Sequence, residues 1–298
     1  MLLRRRPSPA GRPFPLAVAV CLAVVAAGCA GSSGGAGSTT LRVSGSTTVN
    51  PVAADAAEAL RAEGMAITVD TQGGSAGGLA QLAAGQIDVA MSSKPIGDND
   101  RSAHPEVDFT PTRIGADAVG VIVTREVFDG GVSSLTREQA TALFEGRVAN
   151  WSELGGPDLA VFVYDKEPGR GTREVLDAYL YGPDGEAPPP PDSARFAVVG
   201  GNEETRAKLR STPGAVGPLS TAFVAGSAEL VAVALDGVEP TPEAITSGDY
   251  AMARPLFLVT DGEADGGARR FIDYVLSPAG QELVTTHGYL TIEELGGA

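Results

Sequence analysis

The segment LRVSGSTTVNPVAADAAEALRAE, residues 41–63, decides the fold class of this chain. Its first three residues alternate apolar, polar and apolar, which is typical of a short strand. Residues 44–48 predict a tight turn, and alanine and leucine then recur at helical spacing from Val49 to Glu63. The folded part of the chain therefore starts with a strand, a turn and a helix.

The same order of elements occurs again further along the chain. Residues 66–69 predict a second strand, residues 71–78 a glycine- and serine-rich loop, residues 79–84 a helix, and residues 87–91 a third strand. Strands that alternate with helices favour an α/β fold with a parallel sheet and helices on its faces. Later strands are predicted at 119–123, 159–164 and 254–260, and later helices at 136–144, 172–180, 268–276 and 279–286.

Composition limits the classes of function. The chain has 298 residues, 43% of them hydrophobic, which is enough for one large domain or two lobes. Its formal net charge of −15 repels phosphate backbones, so we expect no nucleic-acid partner. With two histidines, no paired cysteines and no dense carboxylate loop, we expect neither a metal site nor a cofactor.

The first 28 residues have the features of an export signal. Arginines precede an uncharged run from Leu16 to Ala27, which is too short to span a bilayer. The run ends at Ala26-Ala27-Gly28-Cys29, which resembles the lipidation site of bacterial lipoproteins; an ordinary secretory signal is the alternative. We expect lipidated Cys29 as the mature N-terminus, residues 29–40 as a flexible tether, and a protein anchored to the outer face of the cell membrane.

Three predicted strands are each followed by a glycine-containing loop that leads into a helix. The loops are Gly45-Ser46-Thr47-Thr48, Gly74-Ser75-Ala76-Gly77 and Gly169-Arg170-Gly171-Thr172. The first N–H groups of a helix lack partners and carry partial positive charge, so each loop can hold an anion. Taken alone, each loop is better explained as a capped helix after a tight turn. Three such loops in one α/β chain favour an anion site, because ligands of open α/β sheets bind beyond the carboxyl ends of the strands.

The order of several short motifs resembles that of the phosphate-binding lipoproteins that supply ABC uptake transporters. The resemblance runs from about Leu41 to Glu294. The motifs are Ser44-Gly45-Ser46-Thr47-Thr48, Gly73-Gly74-Ser75-Ala76-Gly77, residues 85–93, Asn150-Trp151-Ser152-Glu153-Leu154-Gly155-Gly156, Arg170-Gly171-Thr172-Arg173, Pro213-Gly214-Ala215-Val216-Gly217 and His287-Gly288-Tyr289.

The resemblance implies a two-lobed periplasmic-binding-protein fold of type II that closes on an oxyanion. Lobe I would comprise residues 41–115 and 254–298, and lobe II residues 116–253, joined by two crossing strands near 116–123 and 254–260. The protein would bind inorganic phosphate or a related oxyanion, deliver it to a membrane permease, and catalyse no reaction. We expect a monomer.

Carried over position by position, the resemblance implies ligand contacts at a set of hydroxyl groups and N–H groups. These contacts belong to Ser46, Thr47, Ser75, Ser93, Gly171 and Thr172. Three positions depart from the family pattern: Ser93 stands where an Asp is usual, Lys166 where an Arg is usual, and Arg170 where a Ser is usual. The resulting loss of a carboxylate and gain of a cation make a binder or sensor of another, sulfate-like oxyanion the alternative within this class.

Lys166 and Arg170 are the candidate cationic ligands, and both have an alternative interpretation. They lie in a loop that also contains Asp165 and Glu167, so surface ion pairs would explain them without a ligand. Trp151 is interpreted as a packing residue of the second lobe. Either Asp88 or Asp117, which end strands, can brace the hinge.

A secreted serine hydrolase is the alternative from a different functional class. The segment Gly73–Gly77 satisfies G-x-S-x-G, and His287 follows late in the chain, which is the order of nucleophile and base in α/β-hydrolases. However, Ser75 comes too early for the strands that precede a nucleophile elbow, and His287 is predicted to end the last helix. We therefore favour the binding protein over the hydrolase.

Overall fold

The first half of the sheet confirms the repeated strand–loop–helix pattern. A computed structural model describes residues 40–183, 185 and 187–296. Three parallel strands lie in the order β2-β1-β3, with helices after each. The elements are β1 (Leu41–Gly45), α1 (Asn50–Ala62), β2 (Ile67–Asp70), α2 (Gly74–Ala83), β3 (Val89–Ser92) and α3 (Asp98–Ala103).

Two antiparallel strands continue the sheet from β3. β4 (Phe109–Thr124) is 16 residues long, and β11 (Ala253–Asp261) pairs with it from Ala253 opposite Ala118 to Asp261 opposite Phe109. β11 also pairs with β3, and the later part of β4 pairs with β8 (Ala215–Ser220). The β4 strand therefore runs through both halves of the sheet.

The second half of the sheet has the order β4-β8-β6-β7, in which β6 is parallel to both of its neighbours. Its strands are β6 (Phe162–Lys166) and β7 (Phe196–Val199), with β9 (Leu230–Ala232) on β4 and the two-residue strands β5 (Ser134–Leu135) and β10 (Ala234–Leu235) nearby. Its helices are α4 (Arg125–Asp129), α5 (Arg137–Phe144), α6 (Gly171–Tyr181), α7 (Asn202–Ser211) and α8 (Pro242–Ser247). The sheet is mixed overall, which agrees with the predicted α/β class.

Each half of the sheet has its own large apolar cluster. The first includes Leu60 of α1 and Phe271 of α9 (Gly266–Leu276), with α10 (Pro278–Thr286) packed beside them. The second surrounds Trp151, which is fully buried and donates from Nε1 to the Gly214 carbonyl at 2.9 Å. Trp151 is thus a packing residue. The boundaries of the two lobes stay a prediction.

Local chemistry explains where the elements begin. The capping box predicted at Thr136 and Gln139 is present, with the two reciprocal bonds at 3.2 and 2.8 Å. In contrast, α2 starts at Gly74 and not at the predicted Leu79. Gly73 and Gly74 have φ values of 76° and 63°, a conformation that glycine adopts without strain, so the chain turns directly into the helix.

The predicted export signal and the predicted lipidation of Cys29 lie outside the described residues. Among the residues that are described, no helix combines the length and the apolar character needed to cross a membrane.

Candidate functional site

Three serine hydroxyl groups from separate segments meet between the loops after β1, β2 and β3. Ser46 Oγ lies 2.8 Å from Ser93 Oγ, and Ser75 Oγ lies 3.5 Å from Ser93 Oγ. The Ser93 amide also donates to Ser75 Oγ at 3.2 Å. All three side chains are buried. The structure therefore brings together three of the residues that the sequence predicted as ligand contacts.

The start of α6 packs directly against these serines. A Cβ atom at Gly171 would lie 2.6 Å from Ser75 Oγ and 2.8 Å from Ser93 Oγ, so this position has no space for a side chain. The loop before it is held by a bond from the Ala76 amide to the Gly169 carbonyl at 3.0 Å. Thr172, the next residue, is 3% exposed. We call Ser46, Ser75, Ser93 and Thr172 the hydroxyl cluster.

Backbone amides at the helix starts add further hydrogen-bond donors. Thr47 lies in the turn three residues before the start of α1, and Ser75 and Thr172 are the second residues of α2 and α6. Within the part of the chain that the structure describes, the amide N–H groups of these three residues have no hydrogen-bond acceptor. Unpaired N–H groups and the positive ends of helix dipoles favour a bound anion.

Lys166 is buried, but its ammonium group is bonded to neighbours in the second half of the sheet. Its Nζ donates to Thr205 Oγ1 at 2.6 Å, to Asn202 Oδ1 at 3.1 Å and to the Gly200 carbonyl at 3.4 Å. Burial, followed by the charges of Arg254 and Arg170, lowers the pKa of Lys166 to about 7. Among the residues that the structure describes, Lys166 forms no ion pair with Asp165 or Glu167, and Asp165 pairs with Arg173 instead.

The other cations near the site are paired with carboxylates. Arg170 Nη2 lies 2.6 Å from Glu167 Oε2, which agrees with the ion-pair interpretation of this residue. Lys94 Nζ lies 2.7 Å from Asp100 Oδ1 and 2.6 Å from Glu174 Oε2. These pairs offset the positive charge that the cations would otherwise contribute to the site.

Sequence reasoning missed Arg254 as a residue of the site. Arg254 of β11 is directly opposite Asp117 of β4, and its Nε and Nη2 donate to Asp117 Oδ2 at 3.0 and 2.7 Å. Burial raises the pKa of Asp117, and the Arg254 charge opposes this effect. An arginine and an aspartate, each within an apolar strand, are the signal that could have suggested the pair.

Asp117, and not Asp88, occupies a position that can brace the pairing of β4 with β11. Asp88 instead forms an exposed ion pair with Arg42, with Arg42 Nη2 at 2.8 Å from Asp88 Oδ1. The buried pair has a second support, because Ser220 Oγ donates to Asp117 Oδ1 at 2.9 Å.

The arrangement around Ser75 differs from that of a serine hydrolase. A nucleophilic serine needs a base within hydrogen-bond reach. The Ser75 hydroxyl contacts Ser93, whereas His287 Nε2 lies 2.8 Å from Asp55 Oδ2, and no hydrogen bond of the described residues joins Ser75 to His287. The described residues also contain no group of three or more His, Cys, Asp or Glu side chains suited to a metal ion.

The fold and this site can now be compared with known proteins. A family model for the PBP superfamily domain matches residues 30–279. The chain belongs to the PBP superfamily. Among curated members, the phosphate-binding protein PstS of Bacillus subtilis (strain 168) is 27% identical over 259 residues, which cover 86% of this chain and 81% of that protein. PstS of Borreliella burgdorferi is 26% identical over 260 residues, covering 84% and 89%.

Solved structures of this superfamily have the same fold. A protein from Clostridium perfringens, described as a phosphate ABC transporter substrate-binding protein with bound phosphate, matches with a TM-score of 0.74 and 26% identity. The match covers 85% of this chain and 99% of that one. An ABC-type phosphate transport receptor from Vibrio cholerae matches with a TM-score of 0.67 and 23% identity, covering 84% and 99%, and supports the fold. The predicted family and the type II binding-protein fold are confirmed.

Proposed function

We propose that this chain is an extracytoplasmic solute-binding protein that captures phosphate for an ABC uptake transporter. The observation that carries the proposal is the hydroxyl cluster, in which loops from separate strands place serine hydroxyls within 2.8 and 3.5 Å of one another beside the starts of helices. The superfamily membership and the relatives named as phosphate-binding proteins support it.

The chemistry of the cluster suits a small oxyanion. Hydroxyl and N–H groups donate hydrogen bonds to oxygen atoms, and their buried position strengthens each bond by excluding water. The formal net charge of −15 repels an anion at long range, so capture has to depend on these local donors. Neutral donors hold the anion without leaving an uncompensated cation in the interior when it departs.

Release and delivery require the site to open. We propose that residues 41–115 and 254–298 form one lobe and residues 116–253 the other, with β4 and β11 as the strands that cross between them. In this proposal the lobes close on phosphate by a hinge motion, a membrane permease receives it, Cys29 carries the lipid anchor, and the protein acts as a monomer without catalysing a reaction.

A sulfate-like oxyanion is a second candidate, because the hydroxyl cluster has a serine at position 93 and not the family's usual Asp. A carboxylate there would accept the proton of hydrogen phosphate, whereas sulfate has no proton to offer. We nevertheless propose phosphate, because the relatives that match most of the chain are named for it.

Calorimetric titration of the purified full-length protein with phosphate and with sulfate tests the proposal. We expect phosphate to bind with a dissociation constant in the micromolar range or below, and Ser75→Ala to weaken it about tenfold through loss of one buried donor. Absence of heat and of any rise in melting temperature with millimolar phosphate would contradict the proposal. Labelling of Ser75 by a fluorophosphonate would instead support the hydrolase.

A further inference from the structure

Arg254 contacts groups from both halves of the sheet. Its Nη1 donates to Thr172 Oγ1 at 2.9 Å, and its Nη2 donates to Thr48 Oγ1 at 3.1 Å. Thr172 lies in the first turn of α6, and Thr48 lies in the loop after β1. The guanidinium is almost fully buried and comes from β11, which pairs with β3 and with the first part of β4.

The bonds from Arg254 determine which way the neighbouring hydroxyl protons point. A hydroxyl oxygen accepts at most two hydrogen bonds and donates one. Thr48 Oγ1 accepts from Arg254 Nη2 and, at 2.8 Å, from Asn202 Nδ2. Both acceptor positions of Thr48 Oγ1 are therefore filled, and any further hydrogen bond of this hydroxyl has to be one that it donates. Because Thr172 Oγ1 accepts from Arg254 in the same way, its proton is directed away from the guanidinium.

Ser46 and Ser93 continue this sequence of hydrogen bonds. Ser46 Oγ accepts from the Thr48 amide at 3.1 Å and donates to Ser93 Oγ at 2.8 Å. Ser93 Oγ also lies 3.4 Å from Arg254 Nη1. Acceptor positions near Arg254 are thus occupied by protein donors, and the remaining hydroxyl protons are available to a negatively charged oxygen.

In the described part of the chain, neither of the two cations suggested by the sequence is bonded to the hydroxyls of Thr48 and Thr172, as Arg254 is. Lys166 bonds to Asn202, Thr205 and Gly200, and Arg170 bonds to Glu167. Asp117 binds Arg254 through two nitrogen atoms from the facing strand, which fixes the plane of the guanidinium. A lysine cannot reproduce this arrangement, because its ammonium group is a single point of charge.

We propose that Arg254 is the positioning residue of the anion site. Its guanidinium orients the hydroxyls of Thr48 and Thr172 as hydrogen-bond donors and, through Asp117, ties them to the crossing strands β4 and β11. This inference rests on the proposed function. It implies that binding of phosphate depends on the geometry of the Arg254–Asp117 pair and not only on the hydroxyl groups.

The test measures phosphate affinity and ligand-free melting temperature for Arg254→Lys and for the double variant Arg254→Met with Asp117→Leu. The double variant removes both partners, so no unpaired buried charge remains to prevent folding. We expect the double variant to bind phosphate about 100-fold more weakly and Arg254→Lys about tenfold more weakly. The matched control is Arg42→Met with Asp88→Leu, which removes an exposed Arg–Asp pair and is expected to leave affinity unchanged.

The two measurements separate positioning from structural support. If the variants lower only the ligand-free melting temperature and keep phosphate affinity within threefold of wild type, Arg254 is a structural residue and the inference is wrong. If the double variant does not fold, Arg254→Lys decides by the same criterion. Wild-type protein that fails to bind phosphate overturns the proposed function and this inference together, whereas wild-type binding with unaffected variants overturns this inference alone.

Discussion

Two buried cations, Arg254 and Lys166, lie near the hydroxyl cluster and are held in different ways. Arg254 faces the carboxylate of Asp117, with Nη2 and Oδ2 2.7 Å apart. Within the described residues, Lys166 Nζ donates to uncharged oxygen atoms, and its pKa is lowered to about 7 by burial and by the charges of Arg254 and Arg170. Asp117 thus compensates the charge of the buried arginine, whereas burial without a bonded carboxylate moves Lys166 towards its neutral form.

This difference shows how the site can attract an anion without accumulating charge. The paired arginine is neutralised by Asp117, and the lysine connects the end of β6 to the start of α7. The residues that remain for an anion are hydroxyls and amides, which contribute no net charge. Three substitutions test whether neutral donors, and not the nearby cations, hold the anion. The first adds a carboxylate to the hydroxyl cluster, the second removes the amine of Lys166, and the third removes a carboxylate that pairs with a cation.

Gly171→Asp is expected to have the largest effect, because it places a carboxylate in a cluster that has none. The new Cβ would lie 2.6 Å from Ser75 Oγ. The new carboxylate would accept hydrogen bonds from the same hydroxyl and N–H groups that would otherwise bind the anion. We expect phosphate affinity to fall by more than 100-fold in calorimetric titration.

Gly267→Asp is the matched control for this experiment. Gly267 lies in the first turn of α9, and the nearest atom to a Cβ there is 3.8 Å away, so the same charge is added without a clash. Affinity should stay near that of wild type. Retention of full affinity in Gly171→Asp would show that the start of α6 does not contribute to the anion site.

The serines of this cluster could be predicted from the sequence because they depend on local structure. Ser46, Ser75 and Ser93 each follow a strand, and the carboxyl ends of neighbouring parallel strands meet at one edge of a sheet. Arg254 and Asp117 could not be placed in this way, because their contact depends on the register between strands far apart in sequence. The family resemblance also suggested Lys166 and Arg170 as ligands, but the sequence could not show that Lys166 bonds to Thr205 and that Arg170 pairs with Glu167.

The Lys166→Met substitution tests the lowered pKa of Lys166 through the pH dependence of the free energy of unfolding. The folded-state pKa of Lys166 is about 7 and its ordinary value is 10.5, so between these pH values the unfolded chain binds one more proton than the folded chain. The free energy of unfolding therefore gains a contribution that rises with pH, by about 1.4 kcal/mol per unit. We expect the variant to lose this part of the slope in urea denaturation between pH 7.5 and 10.

The exposed Lys208 of α7 supplies the control, since Lys208→Met removes an amine that has no buried environment. Its slope should match that of wild type. Parallel curves for wild type and Lys166→Met across this pH range would mean that Lys166 keeps its charge in the folded protein although no carboxylate of the described residues bonds to it.

The Lys94–Glu174 contact is expected to have the smallest effect, because the Glu174 side chain is 36% exposed and solvent screens the pair. Lys94 follows β3 and Glu174 lies in α6, so their ion pair joins the two halves of the sheet beside the hydroxyl cluster. Glu174→Gln leaves Lys94 with Asp100 and removes only this connection. We expect about threefold weaker phosphate binding, mainly through faster dissociation in stopped-flow measurements, and a smaller effect at high salt.

Glu203→Gln, at an exposed position in α7, is the control. An unchanged dissociation rate in Glu174→Gln would show that a paired cation at the edge of the site does not help to hold its halves together.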